Sequence, residues 1–300
     1  MRAKLIDGKQ IAAEIRARVA EEVAELVERG VRPGLAVVLV GGDPASQVYV
    51  RMKTKACREV GITARDITPS ADISQEELLG IVDDLNADPE VHGILVQLPL
   101  PDHFDEGEVT ERILPEKDVD GFHPMNQGRM AQGDRRAFRP ATPAGIQELI
   151  KRTGVDPAGR HVVMVGRSNI VGKPMATILL QKEPWANATV TVAHSRTRDL
   201  PSITRQGEIL IVGVGRPEIV TGDMVREGAV VIDVGVNRVE DATAERGYRL
   251  VGDVEFDSAA ERADWITPVP GGVGPMTIAM LLENTVVAAR RSLAEGADNT

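Results

Sequence analysis

Leu35-Ala-Val-Val-Leu-Val40 is apolar without a break and stops at Gly41-Gly42. The texture returns in Val91-His-Gly-Ile-Leu-Val-Gln97, Arg160-His-Val-Val-Met-Val-Gly166, Glu208-Ile-Leu-Ile-Val-Gly213 and Val230-Val-Ile-Asp-Val-Gly235. Runs this short with no polar alternation are what strands need when both faces are buried, as in a parallel sheet. Gly61-Ile-Thr-Ala64 and Ala188-Thr-Val-Thr-Val-Ala193 are predicted to begin or form further strands. Between them the period changes. Ile11, Ile15, Val19, Val23 and Leu26 recur at helical spacing over residues 8–29, behind a cap at Asp7. Ser74-Gln-Glu-Glu77 has the form of a capping box opening a helix to about Asn86. Further helices are predicted around Tyr49 and Lys53, from Pro143 to Ile150, from Gly172 to Gln181 and from Met276 to about Leu293. The alternation predicts an α/β chain with right-handed crossovers. Residues 115–143, rich in Gly, Asp, Arg and Pro without a period, are predicted to be loop and connection between two α/β units.

The chain has 300 residues, enough for two domains. Aromatics make up only 3%, so aliphatic side chains must build the cores. The net charge of −10 disfavours nucleic acid and anionic membranes as partners, although a local basic pocket remains compatible with it. One cysteine, Cys57, leaves no intrachain disulfide and no cysteine metal cluster. No run approaches 18 apolar residues, and Met1 to Asp7 lacks the apolar core of a signal peptide, so the expected compartment is the cytoplasm.

Tyr49 and Lys53 are four residues apart, which on a helix puts a ring and an ammonium on one face. The pair can serve a flat ligand, yet the same spacing is common on solvated helices. Gly166-Arg-Ser-Asn-Ile-Val-Gly-Lys-Pro174 joins a strand to a helix and suits a phosphate, with backbone N–H groups free at the helix start and Arg167 and Ser168 as donors. It is not the G-x-G-x-x-G fingerprint, and a plain turn has the same form. The next strand runs into His194-Ser-Arg-Thr197 with no carboxylate before Asp199. A carboxylate there would hold a ribose 2′-hydroxyl; Arg167, Ser195 and Arg196 instead suit a 2′-phosphate and so NADP. Gly213 and Gly235 also close strands, so four strand ends are expected along one edge. Pro268-Val-Pro-Gly-Gly-Val-Gly-Pro-Met-Thr277 specifies a fixed loop opening a helix near Pro275. Asp118 and Asp120 on a loop suit hydrogen bonds to an N–H-rich ring better than a metal, because no His or Cys cluster supports one.

With Tyr49-Val-Arg-Met-Lys53, Val96-Gln-Leu-Pro-Leu-Pro101, Lys117-Asp-Val-Asp-Gly121, Val165 to Pro174 and Pro270 to Thr277 in this order, the chain resembles the bifunctional methylenetetrahydrofolate dehydrogenase/methenyltetrahydrofolate cyclohydrolase family over nearly its whole length. The resemblance implies a folate-binding catalytic domain at 1–142, completed by the C-terminal helix 276–300. It further implies a Rossmann-like NADP-binding domain at 143–275, with the active site in the cleft between the two. The implied reactions are oxidation of 5,10-methylenetetrahydrofolate by NADP and hydrolysis of the methenyl product to 10-formyltetrahydrofolate, within one-carbon metabolism. Lys53 would be the catalytic lysine, Gln97 its partner, Tyr49 the stacking ring and Asp120 the pterin carboxylate. Val96, Leu98, Pro99, Pro270, Gly271, Gly272, Gly274 and Pro275 would line the folate. Gly166, Arg167, Ser168, Ser195 and Val236 would bind the cofactor, and the protein would be a homodimer. Ala141 and Val236 stand where relatives carry Cys and Ile. An NAD-dependent or dehydrogenase-only relative and a silent folate- or nucleotide-binding protein are the competing readings. The joint presence of Lys53, Gln97 and Asp120 speaks against the silent one.

Overall fold

A computed structural model describes residues 2–244 and 247–298. Its contacts divide the chain into two compact units. One comprises Ala13–Met130, Asp134–Ala141 and the chain from Ile278 onward; the other comprises the residues up to Ala12, Ala131–Gly133 and Thr142–Thr277.

In chain order, β1 (Lys4–Leu5) precedes α1 (Gly8–Glu28). The five apolar positions expected on α1 are all buried, and Asp7 Oδ1 accepts from the Gln10 amide at 3.1 Å as the cap. The first unit continues with β2 (Gly34–Val38), α2 (Pro44–Glu59), β3 (Thr63–Ile67), α3 (Gln75–Ala87), β4 (Gly93–Val96), α4 (Glu106–Arg112) and α5 (Pro124–Ala131). Its sheet is parallel in the order β3-β2-β4. The central strand β2 is buried along its whole length, as its unbroken apolar run requires. Ser74 and Glu77 close the capping box at the start of α3, where Leu78, Val82 and Leu85 pack with Ala36, Val38 and Ile94 into the core. Asp43 caps α2, and Pro44 fills the first-turn position whose N–H needs no partner. Helices α4 and α5 were not expected, and α5 lies in the segment read as loop. At seven and eight residues they are too short to display a period, and they form because caps and tertiary packing hold them.

The second unit holds α6 (Ala141–Thr153), β5 (His161–Val165), α7 (Gly172–Leu180), β6 (Thr189–Ala193), α8 (Leu200–Thr204), β7 (Ile209–Val212), β8 (Val230–Asp233), β9 (Asn237–Glu240), β10 (Tyr248–Val251), α9 (Phe256–Arg262) and β11 (Trp265–Ile266). The long helix α10 (Val273–Asp298) follows. Six parallel strands run β1-β11-β8-β7-β5-β6, while β9 and β10 form a separate antiparallel hairpin. The residues up to Ala12 therefore group with the second unit, not with the first as the sequence suggested, because β1 pairs with β11. Two-residue strands such as these carry no readable pattern. Helix α10 starts at Val273, three residues before the expected Met276.

Leu78 is fully buried in the core of the first unit, where its removal leaves a cavity. Leu78→Ala is expected to lower stability by about 2–5 kcal/mol, read from the shift of the urea unfolding midpoint at unchanged slope.

Candidate active site

The first unit builds a lysine site from α2, the end of β4 and the loop after α4. Lys53 is half-buried, and its Nζ donates to Gln97 Oε1 at 3.0 Å. Gln97 follows β4 and is held at both ends: its backbone N–H donates to the Val38 carbonyl at 2.8 Å, and its Nε2 donates to the Leu98 carbonyl at 2.7 Å. That second bond fixes the amide with its oxygen toward the ammonium. Burial pulls the Lys53 pKa below its ordinary value, and the Asp120 carboxylate pulls partly the other way. Burial raises Asp120 in turn, with Lys53 opposing. Beneath Lys53 on α2, Cys57 is buried and its thiol is pushed up to about 12, so it is an inert neighbour. Tyr49, one turn before Lys53, is 51% exposed and presents its ring to solvent. Val96 ends β4 in register with Val38, and Leu98 and Pro99 continue from it through a cis peptide bond.

Asp118 and Asp120 sit two residues apart and do opposite things. Asp118 accepts from the Gly121, Phe122 and His123 amides at 3.0, 3.1 and 2.9 Å and from Asn126 Nδ2 at 2.8 Å. Four donors occupy its oxygens, and burial still lifts its pKa to about 6. It folds the loop. The Asp120 side chain makes no hydrogen bond to the described residues. Lys117 anchors the same loop by donating to the carbonyls of Leu85, Asn86 and Asp88 at the end of α3, at 3.1, 2.8 and 2.7 Å. Ile94 bridges to Asp118, so the loop is laid along β4.

The second unit aligns its own set. Strand registers pair Val165 with Ala193, Val165 with Val212, and Val212 with Asp233, which brings the four strand ends to one edge. From β5 the chain goes to β6 on one side and then to β7 on the other, the switch point where open α/β sheets bind ligands. There Gly166 has φ +125°, and a Cβ on it would lie 2.2 Å from the Gly213 carbonyl oxygen. A Cβ on Gly172 would lie 2.3 Å from the Gly166 oxygen. Both positions require glycine. Ser168 Oγ accepts from the Val171 amide at 3.1 Å and shapes the turn into α7. Arg167 and Arg196 are exposed and form no ion pair with the described residues. Ser195 lies on the exposed turn after β6, and Val236, after β8, is 50% exposed. Asp199, the first carboxylate past β6, caps α8 through the Ser202 amide at 3.4 Å. It is thereby engaged, which leaves a cationic turn suited to a phosphate.

The loop at 268–274 is packed from behind. A Cβ on Gly272 would meet the Pro268 oxygen at 2.7 Å, and Gly271 has φ +112°. The N-terminus of α1 lies against this loop, since a Cβ on Gly8 would fall 1.8 Å from the Gly272 oxygen. Around Gly274 the space is open, so nothing within the described residues demands glycine there. Pro270, Gly271, Gly272 and Gly274 thus form a braced loop with one face free, and Pro275 lies in the first turn of α10.

Two residues that hold these sites were missed. Asp253 is fully buried and its carboxylate accepts from the Val214, Gly215 and Arg216 amides at 2.6, 2.9 and 2.9 Å and from Asn237 Nδ2 at 2.8 Å. It fixes the glycine turn after β7 from nearly forty residues away. Asn284 holds the Asp120 loop from α10. Its one sequence signal is an amide placed between the apolar pairs Leu281-Leu282 and Val286-Val287.

A glycine-lined edge of parallel strands, with a desolvated lysine in a second α/β unit, defines a two-domain nucleotide-binding enzyme class. Family models match on both parts: the tetrahydrofolate dehydrogenase/cyclohydrolase catalytic domain over residues 6–120 and its NAD(P)-binding domain over residues 140–293. The chain belongs to the tetrahydrofolate dehydrogenase/cyclohydrolase family. It is 60% identical over 291 residues to the bifunctional protein FolD of Moorella thermoacetica, covering 97% of this chain and 100% of that one. The crystal structure of the bifunctional FolD methylenetetrahydrofolate dehydrogenase/cyclohydrolase from Campylobacter jejuni superimposes with a TM-score of 0.91 at 48% identity, covering 96% of this chain and 99% of that one. The FolD of Trypanosoma brucei, complexed with NADP cofactor and inhibitor, gives a TM-score of 0.91 at 43% identity, covering 97% and 99%.

The two carboxylates separate by stability. Asp118→Ala leaves the Phe122 and His123 amides and one Asn126 Nδ2 hydrogen without an acceptor, while Gly121 keeps the Asp118 carbonyl and Asn126 keeps that of Pro115. Unfolding free energy should therefore fall by about 3 kcal/mol or more, counting ~1–3 kcal/mol for each group left unpaired. Asp120→Ala removes a desolvated carboxylate with no hydrogen bond and should leave stability unchanged or raised. Urea denaturation of both variants checks the contrast.

Proposed function

We propose that the chain carries out both reactions of its family at Lys53: oxidation of 5,10-methylenetetrahydrofolate with NADP, and hydrolysis of the methenyl product to 10-formyltetrahydrofolate. The observation that carries this reading is the 3.0 Å bond from Lys53 to an oriented Gln97, with Asp120 beside the lysine and free of other partners. Tyr49 supplies the flat surface on which the pterin stacks. Asp120 accepts hydrogen bonds from the N–H groups of that ring. Val96, Leu98 and Pro99 line the ring, and Pro270, Gly271, Gly272, Gly274 and Pro275 offer the free face of their loop to folate.

In hydrolysis, water adds to the electrophilic methenyl carbon and must lose a proton. A lysine with an ordinary pKa of about 10.4 holds its proton at neutral pH; one lowered by burial has a neutral fraction that accepts it. As the hydroxyl becomes the formyl carbonyl it gives up its remaining proton to solvent, the carbon–N5 bond breaks, and Lys53 returns the first proton to N5. Gln97 keeps Nζ aimed through both transfers. In the dehydrogenase half, Lys53 and Asp120 orient the folate, for which bound NADP would supply the hydride-accepting chemistry.

The cofactor fits the residues present. Gly166 and Gly172 let the turn after β5 pack against Gly213 and against itself, and Ser168 shapes that turn, which sets the N-terminus of α7 where a pyrophosphate would bind. Arg167, Ser195 and Arg196 would hold the 2′-phosphate, since Asp199 is committed to its cap. Val236, half-exposed after β8, would lie beside the nicotinamide end. No helix among the described residues is long and apolar enough to cross a membrane. A cytoplasmic location and a homodimer complete the proposal. For the dimer, β6 is an edge strand of the six-stranded sheet, with the apolar Val192 partly exposed on it.

Lys53→Ala is expected to abolish loss of methenyl absorbance while NADP still binds, as titrated by fluorescence; retained hydrolysis would remove Lys53 from the reaction. Asp120 raises the Lys53 pKa, so Asp120→Asn should move the acidic limb of the hydrolysis rate profile to lower pH; an unmoved limb would reject Lys53 as the base. Arg196→Ala should reduce the NADP over NAD preference in kcat/KM about tenfold to a hundredfold, the worth of a charge-assisted phosphate bond. Rates with the two cofactors compared in one steady-state assay read this out.

A further inference from the structure

The Asp120 carboxylate has no hydrogen bond of its own to hold it, so its position is the position of its backbone. That backbone is fixed in unusual detail. Asp118 gathers the amides on one side, and Gly121, at φ +77°, presses against residues 139 and 140, where a Cβ would lie 2.6 Å from the Pro140 nitrogen. The two segments in contact, 119–121 and 139–140, are joined by one side chain. Asn284, half-buried on α10, donates both hydrogens of Nδ2: one to the Val119 carbonyl at 2.8 Å, the other to the Arg139 carbonyl at 3.0 Å. Val119 is fully buried and is the residue immediately before Asp120. Its carbonyl is one end of the peptide unit whose other end is the Asp120 nitrogen. Movement of that carbonyl turns the peptide plane and carries the carboxylate with it.

Among the described residues near this point, Asn284 alone bonds that carbonyl, from 165 positions away in sequence. Its neighbours one turn away on the same helix face, Met280, Leu281, Val287 and Ala288, are all apolar, with Leu281 and Ala288 buried. Apolar packing would be served as well by leucine at 284. An amide there is explained by the Val119 carbonyl, which has no other donor among the described residues, and by the Arg139 carbonyl that it spans to. Asparagine suits the task because a planar NH2 carries two donors in fixed directions, enough to span two carbonyls.

We propose that Asn284 is a positioning residue for the folate-gripping carboxylate: it pins the peptide unit between Val119 and Asp120 and so sets the distance of Asp120 from the pterin and from Lys53. The proposal rests on the assignment of Asp120 to the pterin. Small displacements of such groups have large effects, about a hundredfold for roughly 1 Å.

The test uses the full chain with Asn284→Leu, Asn284→Ser, Asp120→Ala and the double variant Asn284→Leu/Asp120→Ala, each checked for a cooperative urea transition. Asn284→Leu should raise KM for methylenetetrahydrofolate at least tenfold with KM for NADP within twofold. Asn284→Ser, small enough to fold and keeping one donor, should fall between it and the native chain; it also carries the test if the leucine variant does not fold. In the Asp120→Ala background the leucine substitution should add less than twofold. An equal rise in both KM values, or a full additional loss in the double variant, marks a general structural role and overturns the proposal. If Asp120→Ala raises the folate KM while neither Asn284 variant does, the proposal fails and the Asp120 assignment stands. If Asp120→Ala leaves the folate KM unchanged, the assignment itself fails and the proposal falls with it.

Discussion

Taking an ammonium group partly out of water is the constraint around which the first unit is built. Desolvation raises the free energy of the charged form, and only fixed dipoles or an opposing charge can offset it. At Lys53 the offset is deliberately incomplete: one amide oxygen and one carboxylate. A full salt bridge would stabilise the ammonium and remove its capacity to release a proton; no partner at all would leave the side chain undirected. Gln97 solves the directional part without adding charge. It can do so only because its own Nε2 is tied to the Leu98 carbonyl, which decides which end of the amide faces the lysine. The energetics of the proton thus depend on a backbone carbonyl that reaches it only through the Gln97 amide.

Each unit uses the same device at its working edge. Buried aspartates gather loop amides, so that another group remains free. Asp118 collects four donors and leaves Asp120 uncommitted; Asp253 collects four and fixes the glycine turn beside Gly213. In each case a carboxylate on the protein satisfies donors that would otherwise have to find water, and the loop acquires one shape. Order in these loops therefore comes from side chains far along the sequence, not from turn propensity.

That explains what could and could not be read from the residues. The strands β2, β5, β7 and β8 were legible because burial on both faces forces an unbroken apolar run. The helices α1 and α3 were legible from period and caps. Tyr49 and Lys53 could be paired by spacing alone, and the strand-end glycines by their positions; Gln97 gained its partner only through the family resemblance. Strands β1 and β11 are two residues long, and α4, α5, α8 and α9 are seven, eight, five and seven, too short for any period to show. Asp253 and Asn284 act across long sequence separations on main-chain atoms, which carry no residue identity, so no pattern around them names their partners. The grouping of the first dozen residues with the second unit was hidden for the same reason, since β1 is defined by its pairing with β11.

That pairing orders events on the ribosome. Lys4 and Leu5 emerge early, yet their hydrogen-bonding partners, Trp265 and Ile266, follow some 260 positions later. At synthesis rates of about 5–20 residues per second, the strand waits at least ~10 s with its edge unpaired. Its brevity, its own Lys4 and the nearby Arg2 make it a poor template for aggregation during that interval. Closing the six-stranded sheet is accordingly among the last things this chain does, and a nascent chain halted before residue 265 lacks the strand that joins β1 to β8.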